Sequence, residues 1–104
     1  MTKLDAKLES EFQTKVIKHL EELLPGCVVL VKPGYYVQGF PDLLVLYKNQ
    51  WAALEVKRAR NSPYQPNQEW WIAELDTIGF ASMICPENLK EIIDEVLRSF
   101  GDGR

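Results

Sequence analysis

The sequence has no long apolar run, only one histidine and only two cysteines in its 104 residues. No stretch approaches the ~20 apolar residues that a membrane span requires. The charged start MTKLDAKLESE is not typical of a secretory signal, so we expect a cytoplasmic protein without a membrane segment. A metal site built on histidines is excluded because His19 has no histidine partner. Cys27 and Cys85 lie in different apolar runs, and we expect both thiols to be reduced.

The sequence also lacks a large excess of positive charge. Its net charge is −3, which by itself argues against a nucleic-acid partner. The distribution is uneven: residues 1–60 hold nine Lys/Arg against seven Asp/Glu, and residues 61–104 hold three against eight. If a bound metal neutralised some of the early acids, the first sixty residues would carry enough excess positive charge for a modest phosphate-binding surface. A solvated surface of mixed sign is the alternative explanation.

What the sequence does have is a series of helix and strand patterns without repeats or linkers, and its length fits one domain over residues 1–104. Residues 5–24 repeat apolar side chains at helical spacing and end at Pro25-Gly26. The later patterns predict a strand in CVVLVKP, two strands around YKNQ, a helix in QEWWIAELDTI, a strand in FASMIC and a helix in ENLKEIIDEVLRSF. This order, αβββαβα, and the apolar character of both strand faces predict an α/β fold: a mixed sheet with helices covering both sides.

Three charged residues interrupt the two apolar strands around YKNQ. Glu55 and Lys57 project from the same strand face because side chains alternate along a strand. Asp42 lies opposite Glu55 if the hairpin turn is Lys48-Asn49. A turn at Asn49-Gln50 is the alternative. Two carboxylates about 5 Å apart repel each other and need a cation. Lys57 provides one, and hard oxygen ligands at this separation suit Mg²⁺ or Mn²⁺.

The first helix adds a further candidate acid. At about 100° per residue, Glu9 falls near the centre of the apolar face, whereas Glu11 points to the opposite side. A carboxylate in the stripe that packs on the sheet indicates a functional role, so we expect Glu9 in the site, with Glu11 as the alternative. Any one of these charges alone is explained as a solvated side chain near the end of a strand. Their predicted convergence on one side of a sheet favours a site.

The motif Pro41-Asp42, followed after twelve residues by Glu55-Val56-Lys57, resembles the PD-(D/E)xK nuclease superfamily. More narrowly, the chain is similar to stand-alone members of the VRR-NUC family, the virus-type replication-repair nucleases. ESEFQ in the first helix, Gly39, and QEWWIAELDTIG in the second helix extend the likeness over roughly residues 4–95. The resemblance implies a restriction-endonuclease-like fold and a Mg²⁺- or Mn²⁺-dependent DNA endonuclease.

The resemblance also implies roles for particular residues. Asp42, Glu55 and the backbone carbonyl of Val56 would bind the metal, and Glu9 would complete its shell directly or through water. Lys57 would position and help deprotonate the attacking water, or stabilise charge on the phosphate.

Further candidates surround these catalytic residues. Gln68 lies on the sheet-facing side of the second helix, where its amide could bond the lysine or a phosphate, and a structural amide at the core edge is the alternative. We expect phosphate contacts from basic residues at strand ends, and stacking on unpaired bases from aromatic residues of the loop before Asp42: Lys32, Arg58, Arg60, Tyr35 and Tyr36. Ordinary surface charge and core packing are the alternatives.

The expected partners follow from the family resemblance and from the second helix. Stand-alone relatives imply branched DNA, especially four-way (Holliday) junctions, handled during DNA repair and recombination in bacterial or phage-infected cells. Flaps, single strands or duplex DNA are the alternative substrates, and a noncatalytic nucleic-acid-binding module is the alternative class of function. Because Trp71 faces the sheet and leaves Trp70 exposed, we expect a partner surface and a homodimer, which would match a two-fold junction.

Overall fold

Residues 2–101 are described in a computed structural model, and they form a four-stranded mixed sheet flanked by helices. The elements are α1 (Lys3–Leu23), β1 (Val28–Val31), β2 (Leu43–Tyr47), β3 (Gln50–Val56), α2 (Gln68–Asp76), β4 (Phe80–Ile84) and α3 (Leu89–Ser99). A 3₁₀ turn over Pro86–Asn88 precedes α3. The predicted α/β fold with the order αβββαβα is therefore confirmed.

The long helix α1 is fixed at its start by a capping box. Asp5 N donates to Thr2 Oγ1 over 3.0 Å, and this satisfies a backbone donor that has no partner within the helix. Three apolar residues spaced four apart, Phe12, Val16 and Leu20, are buried. This spacing places them on one face, so α1 packs against the sheet along that face.

The sheet has the strand order β1-β2-β3-β4, with the first two pairings antiparallel and the β3–β4 pairing parallel. Tyr47 pairs with Gln50, so the hairpin turn contains Lys48 and Asn49. Of the two predicted turns, the first is therefore correct. Lys48 has a φ of 56°, the left-handed conformation that tight hairpin turns require.

The core lies on one face of the sheet, which α1 and α3 cover. The inward strand residues are fully or almost fully buried: Leu43, Val45, Ala52, Leu54, Val56 and Ile84. They pack with the apolar faces of the two helices. Each fully buried side chain of leucine or valine size contributes about 1.5–3 kcal/mol of hydrophobic free energy. This face holds the strands rigidly, and the opposite face can carry polar groups.

The opposite face is covered only in part, by α2. This nine-residue helix packs mainly on β4 and β3, the two strands that it connects. Val28, Leu30 and Leu46 therefore stay between about a third and a half exposed. Helices therefore flank both sides of the sheet, as predicted, while this half of the outer face stays partly exposed. We call these three residues the bare sheet face.

The remaining predictions on element ends and thiols are close to the structure. The second helix ends at Asp76, two residues earlier than its apolar pattern suggested, and Ala81 N donates to Asp76 Oδ1 over 3.0 Å. Cys85 is buried, Cys27 is half-buried, and both are free thiols. Within residues 2–101, no helix is long and apolar enough to cross a bilayer.

Candidate active site

A cavity of about 340 Å³ opens at the end of β3, between the first turns of α1 and the start of α2. The five residues predicted to be catalytic all line this cavity, which we call the catalytic cavity after that prediction: Glu9, Asp42, Glu55, Lys57 and Gln68. Its other lining residues include Asp5, Arg58 and Gln65. The structure therefore brings together side chains from α1, from both strands of the hairpin and from α2.

The hairpin register sets Asp42 beside Glu55. Leu43 pairs with Leu54, so Asp42, which immediately precedes β2, lies next to Glu55 of β3. The carboxylate of Asp42 is fixed in this position because Val56 N donates to Asp42 Oδ2 over 3.0 Å. The backbone of Asp42 is held as well, since its carbonyl accepts from Lys32 N over 2.6 Å. Both contacts aim the side chain at the end of β3.

Glu55 is a buried acid with an incomplete set of partners. The residue is 2% exposed, and its Oε2 accepts from Gln68 Nε2 over 2.7 Å. Among the described residues, Glu55 Oε1 is the one buried side-chain oxygen or nitrogen without a hydrogen-bond partner. Burial, reinforced by the neighbouring charge of Asp42, raises the pKa of Glu55 to about 9. Without a cation this carboxyl therefore holds its proton at neutral pH.

Lys57 is held by two acceptors beside this acid. Its Nζ donates to Gln68 Oε1 over 2.7 Å and to the Pro63 carbonyl over 3.1 Å, and it lies 3.8 Å from Glu55 Oε2. The residue is 6% exposed, and Nζ lies 5.5 Å from the ring centre of Tyr64. An ammonium has three donors, and these two bonds account for two of them.

Gln68 connects the acid to the amine. Its Nε2 donates to Glu55, and its Oε1 accepts from both Lys57 and the backbone N–H of Gln65, each over 2.7 Å. Gln68 is the first residue of α2, so the helix start delivers the amide to the end of β3. The sequence-based alternatives were a bond to the lysine, a bond to a phosphate or a structural amide. In this structure the amide bonds the lysine.

Helix α1 contributes Glu9 rather than Glu11. Glu9 is half-buried and lines the catalytic cavity. Burial, and then the charge of Asp42, raises the pKa of Glu9 above its ordinary value. Glu11 is exposed and pairs with Lys7 over 3.9 Å on the outer side of the helix. The helical spacing argument therefore separated the two acids correctly.

The acidic side chains suit a divalent cation, although they do not form a complete cage. A buried carboxylate oxygen without a donor, next to a second carboxylate, is a strong position for a hard cation such as Mg²⁺ or Mn²⁺. In residues 2–101, no three His, Cys, Asp or Glu side chains converge closely enough to hold a metal ion together. An ion bound here would have Asp42 and Glu55 as its nearest carboxylate ligands, and Glu9 lines the same cavity.

The predicted basic residues do not all reach the catalytic cavity. Arg58 lines it, and its Nε lies 3.1 Å from Asp5 Oδ1. Lys32 borders a neighbouring groove that also contains Asp42. Arg60 is exposed and is not among the lining residues of either, and its backbone N–H donates to Glu87 over 3.2 Å.

The predicted aromatic residues of the loop are on the surface. Tyr35 and Tyr36 are mostly exposed and meet edge to face, with ring centres 5.0 Å apart. Phe40, from the same loop, is half-buried against Trp71, with ring centres 5.1 Å apart. Exposed tyrosines are available to a ligand, whereas Phe40 fixes the loop on α2.

Sequence reasoning missed two contributors to the site. Asp5 lies four residues before Glu9, so helical spacing alone could have placed both acids at the cavity. The carbonyl of Pro63, which accepts from Lys57, leaves no signal in the sequence because every residue carries a backbone carbonyl. Its position depends on the path of the chain between β3 and α2.

No model of a known protein family matches the chain, and no curated protein matches its sequence.

Proposed function

We propose that this protein is a Mg²⁺- or Mn²⁺-dependent endonuclease that hydrolyses phosphodiester bonds in DNA. The observation that carries the proposal is the convergence of Asp42, Glu55 and Lys57 in one cavity, where Gln68 bonds both the acid and the amine. The resemblance of these residues to the PD-(D/E)xK motif, and of the chain to the VRR-NUC family, supports the same reaction.

Asp42, Glu55 and the carbonyl of Val56 are the groups that would hold the metal, and Glu9 would complete its shell directly or through water. When bound, the ion supplies Lewis acidity toward the phosphate and lowers the pKa of a water molecule. A bound ion would also offset the negative charge of the acids beside an incoming phosphate.

Lys57 is the residue that acts on the reacting groups. Its two acceptors fix the ammonium in the cavity, so little side-chain entropy is lost when a ligand binds beside it. From there it can orient the attacking water and take part in its deprotonation, or stabilise charge that develops on the phosphate. Gln68 is a positioning residue in this scheme, because its contacts in the structure are to protein groups.

A noncatalytic nucleic-acid-binding module is the competing function. Such a module has no reason to keep a 2% exposed glutamate next to an aspartate, because burying that acid costs folding free energy. The raised pKa of Glu55 reflects the same cost. The acidic pair therefore favours catalysis.

We propose four-way junctions as the substrate, acted on in the cytoplasm of a bacterial or phage-infected cell by a homodimer of this chain. The family resemblance supports the substrate, and a two-fold dimer would place two cavities across a two-fold junction. The bare sheet face supplies exposed apolar side chains for contact between two copies.

The test is cleavage of a labelled four-way junction with Mg²⁺, Mn²⁺ or EDTA. Wild type is expected to cut only with metal, and Asp42→Ala and Lys57→Ala are expected to lose at least about 100-fold in rate. Glu11→Ala is the matched control, since Glu11 is an exposed acid on the outer side of α1. Flaps, single strands and duplexes in the same assay identify the preferred substrate. Absence of cleavage, together with absence of Mn²⁺ binding in calorimetry, would favour the noncatalytic module.

A further inference from the structure

Two aromatic side chains with large exposed surfaces flank one shallow groove beside the catalytic cavity. Tyr36 is 95% exposed and Trp70 is 57% exposed. The groove is lined by these two and by Val37, Gln38, Asn67 and Trp71, and we call it the aromatic groove. Exposing a tryptophan to water is unfavourable, so a groove that presents one beside an exposed tyrosine is suited to a flat, partly apolar ligand.

The floor of the aromatic groove is tied to the catalytic residues. Asn67, in the left-handed conformation with a φ of 73°, immediately precedes Gln68. The loop that carries Tyr36 is docked on this segment, because Gly39, with a φ of 85°, lies so close that an added Cβ would be 2.6 Å from the Pro66 carbonyl. The groove and the catalytic cavity therefore share the segment that leads into α2.

A continuous surface leads from the catalytic cavity to the aromatic groove. A second groove, the loop groove, shares Asp42 with the cavity and shares Val37 and Gln38 with the aromatic groove. Lys32 lies along the loop groove. A nucleic-acid strand on this path would meet the carboxylate pair, then one lysine and then the two aromatic rings.

The side chains along this path match the parts of a nucleotide. Aromatic rings stack on bases regardless of sequence, and a lysine attracts a phosphate. Asn67 and Gln38 present side-chain amides in the aromatic groove, where Asn67 Nδ2 donates weakly to Gln38 Oε1 over 3.5 Å. Amides offer both donors and acceptors to a base edge. A hydrogen bond as long as the one between Asn67 and Gln38 is readily exchanged for a bond to a base. In duplex DNA the face of each base is covered by its neighbours, so only an unpaired base could enter.

We propose that the aromatic groove binds an unpaired base of the strand whose phosphate occupies the catalytic cavity. The proposal rests on the nuclease function above and narrows its substrate class to DNA with at least one unstacked nucleotide near the cut, as at a branch point, a flap or a single strand. A second copy of the chain is the competing occupant. The polar amides and the connection to Lys32 and Asp42 favour the nucleotide.

The test is binding of fluorescein-labelled DNA by fluorescence anisotropy in EDTA, where no metal-dependent cleavage occurs. Wild type is expected to bind a single-stranded 12-mer, and Tyr36→Ala and Trp70→Ala are expected to weaken this binding about 5- to 150-fold, the usual contribution of one base stack. Affinity for a blunt 12-base-pair duplex should not change. Tyr36→Phe and Trp70→Phe should retain binding because they keep an aromatic face.

Ile78→Ala is the matched control, since Ile78 is an exposed apolar residue just beyond the other end of α2. A single strand that carries 2-aminopurine should lose fluorescence when it binds wild type, and should lose less with either alanine variant. Equal binding of single strands by wild type and both alanine variants would overturn the proposal. So would a Trp70→Ala variant that changes from dimer to monomer with unchanged DNA affinity. If the alanine variants weaken single-strand binding but no metal supports cleavage, base binding in the aromatic groove is supported and the proposed nuclease function is contradicted.

Discussion

The side-chain amide of Gln68 donates a hydrogen bond of 2.7 Å to the buried carboxyl group of Glu55. The same amide accepts a bond of 2.7 Å from Lys57, so one side chain sets the separation of the acid from the amine. Without these two bonds, Glu55 and Lys57, two positions apart along the chain, could adopt their side-chain rotamers independently. The geometry of the catalytic cavity therefore depends on the docking of α2.

Replacing Gln68 with alanine is expected to lower kcat on a four-way junction by roughly 10- to 100-fold, the usual effect of removing a group that orients a metal ligand. Glu55 would lose its donor, and Lys57 would lose one of its two acceptors. Steady-state kinetics with Mg²⁺ measures the effect. Glu69→Ala is the control, since Glu69 is exposed in the same first turn of α2. Equal rates for Gln68→Ala and wild type would contradict the positioning role.

Glu55→Gln is expected to stabilise the metal-free protein at neutral pH. The folded-state pKa of Glu55 is raised to about 9, so at pH 7 folding forces this group to take up a proton that the unfolded chain does not hold. That uptake costs up to about 3 kcal/mol, which a neutral glutamine avoids. Urea unfolding in EDTA at pH 7 measures the difference, with Glu11→Gln as the exposed control. A destabilised Glu55→Gln variant would contradict the raised pKa.

The same acid gives the metal-free protein a defined pH dependence. Between the ordinary pKa of a glutamate and about 9, the native state binds more protons than the unfolded state, so the free energy of unfolding falls as pH rises. Asp42 and Glu9 reinforce this by raising the pKa, and Lys57 opposes it. Urea unfolding in EDTA from pH 5 to pH 9 is expected to show this decline in wild type and a smaller one in Glu55→Gln. Parallel curves for the two proteins would contradict it.

The hairpin part of the site was predictable because it depends on local rules. Alternation along β3 fixes Glu55 and Lys57 on one face, and a two-residue turn fixes Asp42 beside them. Helical spacing similarly separated Glu9 from Glu11. These inferences need only the side-chain period of a strand or helix and the length of a turn. None of them depends on how distant elements pack.

The rest of the site depends on tertiary packing that no local pattern encodes. The parallel pairing of β4 with β3 confines α2 to half of the outer sheet face, and apolar strands alone did not indicate this. The chain between Lys57 and Gln68 places the Pro63 carbonyl at the ammonium without any distinctive side chain. Helical spacing puts Asp5 on the same side of α1 as Glu9, but it does not show that this side of the helix lies over the end of β3.

The homodimer is expected to form through the bare sheet face. Val28, Leu30 and Leu46 are exposed on adjacent strands, and β1 is an edge strand, so two copies could bury these side chains together. Size-exclusion chromatography with light scattering is expected to give a dimer for wild type and a monomer for Leu30→Lys. Leu23→Lys, at an exposed apolar position at the end of α1, should leave the dimer intact. A monomeric wild type would contradict the dimer.

Metal binding is expected to stabilise the protein through Asp42 and Glu55. An ion that binds only the folded state, present at about 100 times its dissociation constant, adds about 3 kcal/mol to the free energy of unfolding. Mn²⁺ should therefore raise the thermal midpoint of wild type, and more strongly at pH 8 than at pH 6, because it must displace the proton of Glu55. Asp42→Asn and Glu55→Gln should each lose most of this shift, whereas Glu11→Gln should keep it. The same Mn²⁺-induced shift in Asp42→Asn as in wild type would place the ion elsewhere on the chain and remove the basis for assigning Asp42 and Glu55 as its ligands.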